Sequence, residues 1–323
     1  VTALSWRAVA DRIRSAGREG RAQARRDDEL EPILDEASLR QLMRIRLESG
    51  RSFTAWLTGE RAGRRKMQAV EFEDYRGYVP GDDFRLIDWH AYARLGDLFV
   101  KTSLSDETVS VSLLVDCSNS MDWGAPTKFR HAKRLAATLG ALALMHGDRV
   151  RVFGLGDDTA LPGSSLYGQS GLTTLSADLE ALPVFGGTDL RGSVATFQRL
   201  AEPYGVVILF SDLLVPLDDI EALDTLHLEG RTLVVIHIVD PAEAAPTLQG
   251  AVELRDSETG AVSLVSITAG VRRQYAARFQ ERMAAIEKRV STGDTRYVRA
   301  STTVSPIDFL VNDLRREGVV AQT

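Results

Sequence analysis

Cysteine is nearly absent: Cys117 is the only one in 323 residues. That excludes an intrachain disulfide and any cysteine-rich zinc site, and it suits a reducing compartment. Long apolar runs are also missing. The longest candidate, Tyr204 to Val215, is interrupted by Ser211 and Asp212 and falls short of the ~20 residues that a membrane helix needs. The first residues are polar and Arg-bearing without an apolar centre, so no secretory signal is expected, and a cytoplasmic location is. No G-x-x-x-x-G-K-[ST] phosphate loop occurs, and Gly154-Leu155-Gly156 is too short to suggest a dinucleotide site. The five histidines, His90, His131, His146, His227 and His237, show no metal-ligand spacing, and no Ser-His-Asp arrangement can be read. Basic charge is not in excess either. The formal net charge is −6; residues 1–70 carry 15 Arg+Lys against 10 Asp+Glu, leaving 24 against 35 for the rest. A basic front of this size reads as a solvated helical face rather than a nucleic-acid arm.

What is present is ordinary for a globular protein, with 44% hydrophobic and 26% charged residues. The length suggests two domains, or one large domain with extensions. Residues 1–50 read as a helical segment. Trp6, Val9 and Ile13 share one face; Leu30, Ile33 and Leu34, then Leu39, Leu42, Ile45 and Leu47, suggest two further short helices. Residues 51–108 read as a small β-rich module punctuated by glycines, with Pro80-Gly81-Asp82-Asp83 as a turn and a hairpin at Gly96-Asp97. From 109 to 323 strands and helices alternate. Strands are predicted at Val109–Val115, Arg149–Leu155, Val206–Phe210, Leu233–Val239 and Arg296–Arg299. Helices are predicted from Thr127 (N-cap) to Gly147, across Leu172–Leu182, Leu190–Leu200, Leu217–Leu226 and Val271–Val290, and after Ser305-Pro306. Residues 156–171 read as an irregular connection with room for a short edge strand, and 251–267 as an inserted hairpin. This alternation predicts an α/β fold, a doubly wound and mostly parallel sheet with helices on both faces.

The chemistry gathers at Val109 to Met121, VSVSLLVDCSNSM. An apolar strand runs out into Asp116-Cys117-Ser118-Asn119-Ser120, placing a carboxylate and two hydroxyls at every second position beyond the strand's carboxyl end. In an open α/β sheet ligands bind at that edge. Crossovers of one hand bring later strand ends to the same edge, so Thr188, after Gly186-Gly187, and Asp212, after Ser211, are expected to join them. Asp116, Ser118, Ser120, Thr188 and Asp212 together supply two carboxylates and three hydroxyls. Hard oxygen donors of this kind suit Mg²⁺ or Mn²⁺, with the hydroxyls in or near direct contact and the carboxylates direct or through water. Cys117 is expected to point into the packing and be inert.

This order of motifs resembles the von Willebrand factor A domain and its metal-ion-dependent adhesion site, in which a D-x-S-x-S loop, a threonine and a later aspartate hold one divalent cation. A narrower resemblance lies upstream. Phe72-Glu73-Asp74-Tyr75-Arg76, Tyr78, Pro80-Gly81-Asp82-Asp83, Arg85 and Ile87-Asp88-Trp89 resemble the signature of the bacterial DUF58 family. Arg76, Asp82, Asp83, Arg85 and Asp88 are expected to form an internal ion-pair and turn network. The resemblance implies a von Willebrand factor A-like fold and a MoxR-type AAA+ ATPase, or its client, as protein partner. The function expected is a divalent-metal-dependent adaptor that docks a partner carboxylate without catalysing a reaction; metal-assisted hydrolysis at the same ion is the alternative.

Overall fold

The computed structural model describes residues 31–49, 75–77, 99–101, 108–228, 231–255, 262–291 and 295–314, with backbone alone for 46–49, 75–77, 99–101, 227–228 and 255. The central element is a six-stranded sheet. Its strands are β1 (Ser110–Asp116), β2 (Arg149–Gly156), β3 (Thr159–Tyr167), β4 (Gly205–Ser211), β5 (Arg231–Val239) and β6 (Arg296–Ser301). They lie in the order β6-β5-β4-β1-β2-β3. All neighbours are parallel except β2 and β3. From β1 the chain winds outward one way through β2 and β3. After β3 it returns to the other side of β1 and winds through β4, β5 and β6. The strand order therefore reverses between β1 and β4, and the loops leaving those two strands diverge to opposite faces. In open α/β sheets such a reversal is where a ligand crevice is expected.

The helices follow from the apolar spacing. They are α1 (Glu36–Ser49), α2 (Lys128–His146), α3 (Gly171–Ala181), α4 (Leu190–Leu200) and α5 (Ala269–Val290). Thr127 caps α2 by accepting from the Arg130 amide, and Gly147 ends it in the left-handed conformation at φ +89°. One sheet face carries Val111, Leu113 and Val115 of β1 and packs under α1, α2, α3 and the C-terminal Phe309 and Leu310. The other carries Leu114, Val207 and Leu209 and packs under α4 and α5. The period-two alternation of β1 thus feeds two cores. Because α2 has neighbours on the sheet side and also in α1, α3 and the C-terminal segment, it is buried nearly all round, beyond the single face that its pattern predicts.

Several expectations are corrected. The edge strand allowed for at 156–171 is present but longer than expected, a nine-residue antiparallel strand, β3. Its Pro162 and Gly163 hide the strand signal, and an edge position tolerates both. Leu217–Leu223 is a 3₁₀ helix, followed by one helical turn at Asp224–Leu228. Residues 31–35 precede α1 and are not helical. The last helix, Pro306–Asp308 capped by Ser305, passes into a π-helical turn at Phe309–Asp313. The inserted hairpin is present as Gly250–Arg255 paired with Val262–Ile267. Tyr75–Gly77 pairs antiparallel with Phe99–Lys101. The Trp6 helix, the hairpin turn at Gly96-Asp97 and most of the 72–89 signature lie outside the described residues. Among those described, no helix is long and apolar enough to cross a membrane.

One backbone contact fixes how closely β4 meets β1. Gly205 opens β4 at φ +109°, and a Cβ there would sit 2.1 Å from the Ser110 carbonyl oxygen. Gly205→Ala is expected to cost about 2–3 kcal/mol, from left-handed strain plus displacement of a central strand. Urea unfolding of the variant against wild type measures it.

Candidate metal centre at the sheet switch point

The strand ends at the crevice carry the expected polar residues, and all but one are buried. Asp116 is 2% exposed, Ser118 0%, Ser120 2% and Asp212 2%. Asp116 is the last residue of β1. Its Oδ1 accepts from the Ser118 amide at 3.0 Å, which turns the chain sharply after the strand. Its Oδ2 accepts from Ser211 Oγ at 2.6 Å, joining the ends of β1 and β4 across 95 residues of sequence. Ser118 precedes a 3₁₀ turn at Asn119–Met121 that carries Ser120 inward. The two hydroxyl oxygens lie 3.0 Å apart.

Beyond β4, Asp212 Oδ1 accepts from the Leu214 amide at 3.1 Å. Leu213 between them is left-handed at φ +48°, unusual for a bulky residue, and is held by its amide on Ser211 Oγ at 3.0 Å. Asp212 Oδ2 accepts from Lys128 Nζ at 2.7 Å, and the same ammonium reaches Glu243 Oε1 at 2.5 Å. The Asp212 carbonyl contacts His237 Nε2 at 2.9 Å, and His237 Nδ1 contacts Tyr297 OH at 2.7 Å. A carbonyl only accepts, so Nε2 carries the proton and the Tyr297 hydroxyl donates to Nδ1. This neutral tautomer agrees with burial pushing His237 down to about 4.

The electrostatics separate the two aspartates. Burial, then the Asp212 charge, pushes Asp116 up to about 6 against the hydrogen bonds from Ser211 and Ser118. Burial raises Asp212 too, but the Lys128 ammonium together with the hydrogen bonds from Lys128, the Leu214 amide and Ser120 outweighs it and holds this carboxyl below its usual range. Burial, then the Asp116 charge, raises the Cys117 thiol, which lies beside Gly154 and donates to the Val115 carbonyl.

Thr188 belongs to a neighbouring loop and is half-buried. That loop is tied to the serine loop by the Asn119 amide on the Gly186 carbonyl at 3.2 Å and the Phe185 amide on the Cys117 carbonyl at 2.8 Å. It is tied to the turn after β2 by a bridge between Thr188 and Asp157. Direct contacts therefore join Asp116, Ser118, Ser120 and Asp212, whereas Thr188 is brought to the same rim through Gly186.

Among the described residues no three His, Cys, Asp or Glu form a metal-binding group. The donors that converge are two hydroxyls flanked by two carboxylates. Ser118 lowers the Asp116 carboxyl through its side chain, and Ser120 does the same for Asp212. In this structure the two hydroxyls hydrogen-bond to each other across 3.0 Å, and a cation would take the place of the shared proton. Cis ligands of an octahedral Mg²⁺ at 2.0–2.1 Å are about 2.9 Å apart. The donor set fits that ion.

Lys128, His237 and Glu243 were not expected as part of the site. His237 was visible as the one polar side chain in the apolar run Leu233–Val239, and Asp240-Pro241-Ala242-Glu243 as a capping box, which it is. Lys128 carries no local signal.

The family model described as "Protein of unknown function DUF58" matches residues 74–285 of this chain. The chain belongs to the DUF58 family. Among its relatives are the uncharacterized proteins Rv1480 of Mycobacterium tuberculosis and Mb1516 of Mycobacterium bovis, each 27% identical over 206 residues. Each match covers 62% of this DUF58 chain and 65% of the relative, so the chain spans just under two thirds of their length. Among solved structures it is similar to the conserved hypothetical protein BatB of Bacteroides thetaiotaomicron, at 19% identity and a TM-score of 0.41, over 65% of this chain and 98% of that one. It is also similar to the SpRpn10 VWA domain, at 12% identity and a TM-score of 0.37, over 63% and 94%.

Proposed function

We propose that this DUF58 chain is a divalent-metal-dependent adaptor that binds an acidic side chain of a protein partner at the crevice between β1 and β4. The hydroxyls of Ser118 and Ser120, hydrogen-bonded to each other at 3.0 Å in a buried acidic rim and spaced as cis ligands would be, carry the reading. Ser118 and Ser120 would hold a Mg²⁺ or Mn²⁺ ion directly. Asp116 and Thr188 complete the rim, and Asp212 orients the Ser120 hydroxyl. A bound ion of this kind supplies an open position for a carboxylate from another molecule. Because most of its donors here are neutral, little of its charge is quenched before the partner arrives. The partner class follows from the DUF58 resemblance: a MoxR-type AAA+ ATPase or its client. Docking is favoured over hydrolysis because both ring nitrogens of His237, the imidazole bonded to the Asp212 carbonyl, are already engaged and offer no base.

Calorimetry with Mg²⁺ and Mn²⁺ tests the ion: heat of binding is expected for wild type and none for Asp116→Ala. Capture of a co-expressed MoxR-type ATPase that is lost in EDTA tests the adaptor role. Equal capture with and without chelator would exclude it.

A further inference from the structure

Lys128 is a costly residue to place where it is. It is the first residue of α2, where a positive charge opposes the helix dipole, and it is completely buried. Its ammonium lies between Asp212, at the end of β4, and Glu243, in the one-turn helix Pro241–Ala244 after β5. Glu243 is fixed in turn: its Oε2 accepts from the Asp240 amide and its carbonyl accepts from Tyr275 OH of α5 at 2.7 Å. One lysine thus joins the start of α2 to the chain leaving two adjacent strands. With Asp116, three buried carboxylates stand around this rim.

Both oxygens of Asp212 are also committed. Oδ2 accepts from Lys128 and Oδ1 from the Leu214 amide, with the Ser120 hydroxyl on the same carboxylate. We propose that Lys128 is a positioning residue and the permanent counter-cation of this rim: it keeps the acidic strand ends assembled without a metal, and by occupying Asp212 it keeps that carboxylate off the divalent ion. The second half rests on the metal-site reading above; the first does not. Both oxygens of Asp116 also accept hydrogen bonds, but from the neutral Ser118 amide and Ser211 hydroxyl, so Asp116 is the carboxylate of the pair left for the ion. The site binds its ion weakly and leaves it electron-poor, which favours an acidic partner over a neutral one.

Lys128→Met, which keeps the length and removes the charge, and the double variant Lys128→Met/Asp212→Asn test both halves. In EDTA, Lys128→Met is expected to lower Tm by on the order of 10 °C, because two carboxylates lose their buried partner. The double variant should recover at least half of that loss, and should fold even where the single variant does not. Mn²⁺ titration is expected to show Lys128→Met, with Asp212 released and a nearby positive charge gone, binding at least tenfold more tightly than wild type. An unchanged Tm in EDTA, or no recovery in the double variant, overturns the counter-cation. Equal or weaker Mn²⁺ binding by a folded Lys128→Met overturns the positioning role. If neither wild type nor Lys128→Met binds Mn²⁺, the metal-site reading and the positioning role fall together, and the Tm series alone decides the counter-cation.

Discussion

Replacing Ser118 and Ser120 together by alanine is expected to weaken Mg²⁺ and Mn²⁺ binding by roughly 100-fold or more, with Tm lowered by only a few degrees. The hydroxyls are the two neutral donors placed 3.0 Å apart, so their removal takes away the ligands while sparing the scaffold. The Ser118 amide still donates to Asp116, and Ser211 still joins β1 to β4. What is lost in stability is the hydrogen bond between the two hydroxyls and one hydroxyl contact to each aspartate, about 1 kcal/mol apiece. Calorimetry and a thermal melt on the same sample separate the two effects. Wild-type affinity in the double variant would mean that the ion, if bound, sits elsewhere.

The second large effect is an acid limb of stability from His131. This residue lies on α2 at 2% exposure, its Nε2 has no hydrogen-bond partner, and burial, then Arg134, pushes it down to about 4. In the unfolded chain a histidine titrates near 6.5. The folded state therefore binds fewer protons than the unfolded state between those values. The contribution of neutral His131 is fully present above pH 6.5 and is lost progressively as pH falls towards 4. Two and a half units correspond to about 3 kcal/mol. His131→Leu removes the imidazole and should make this part of the curve shallower, leaving the share that the equally depressed His237 contributes, measured as urea unfolding free energy between pH 7 and pH 4. A slope identical to wild type would show that the imidazole does not titrate against folding.

The sheet was largely legible because buried strands and amphipathic helices announce themselves by period. Val111, Leu113 and Val115 alternate onto one core while Leu114 enters the other, and the pattern needs no knowledge of neighbours. The carboxyl-edge residues were legible for a topological reason, since right-handed crossovers bring the ends of β1 and β4 to one edge. What stayed hidden depends on contacts between distant segments. Lys128 looks like any polar residue at a helix start, and only the fold places Asp212, 84 residues on, and Glu243, 115 residues on, against it. The β3 strand was obscured by Pro162 and Gly163, which an edge accepts and a central strand would not. The 3₁₀ turn at Leu217–Leu223 shares its apolar spacing with an α-helix over so short a span that period alone cannot tell them apart.

The interior position of β1 has a consequence for how the chain is made. β1 can pair with β2 soon after synthesis, but its other edge is completed only by β4, with Val111 opposite Val206. At the usual 5–20 residues per second, that separation of 95 positions leaves an apolar strand edge open on the ribosome for roughly 5–20 s. During that interval the nascent polypeptide is a natural client for holdase chaperones, and any translational stall before Asp212 yields a product that has the serine loop but lacks half of its cage.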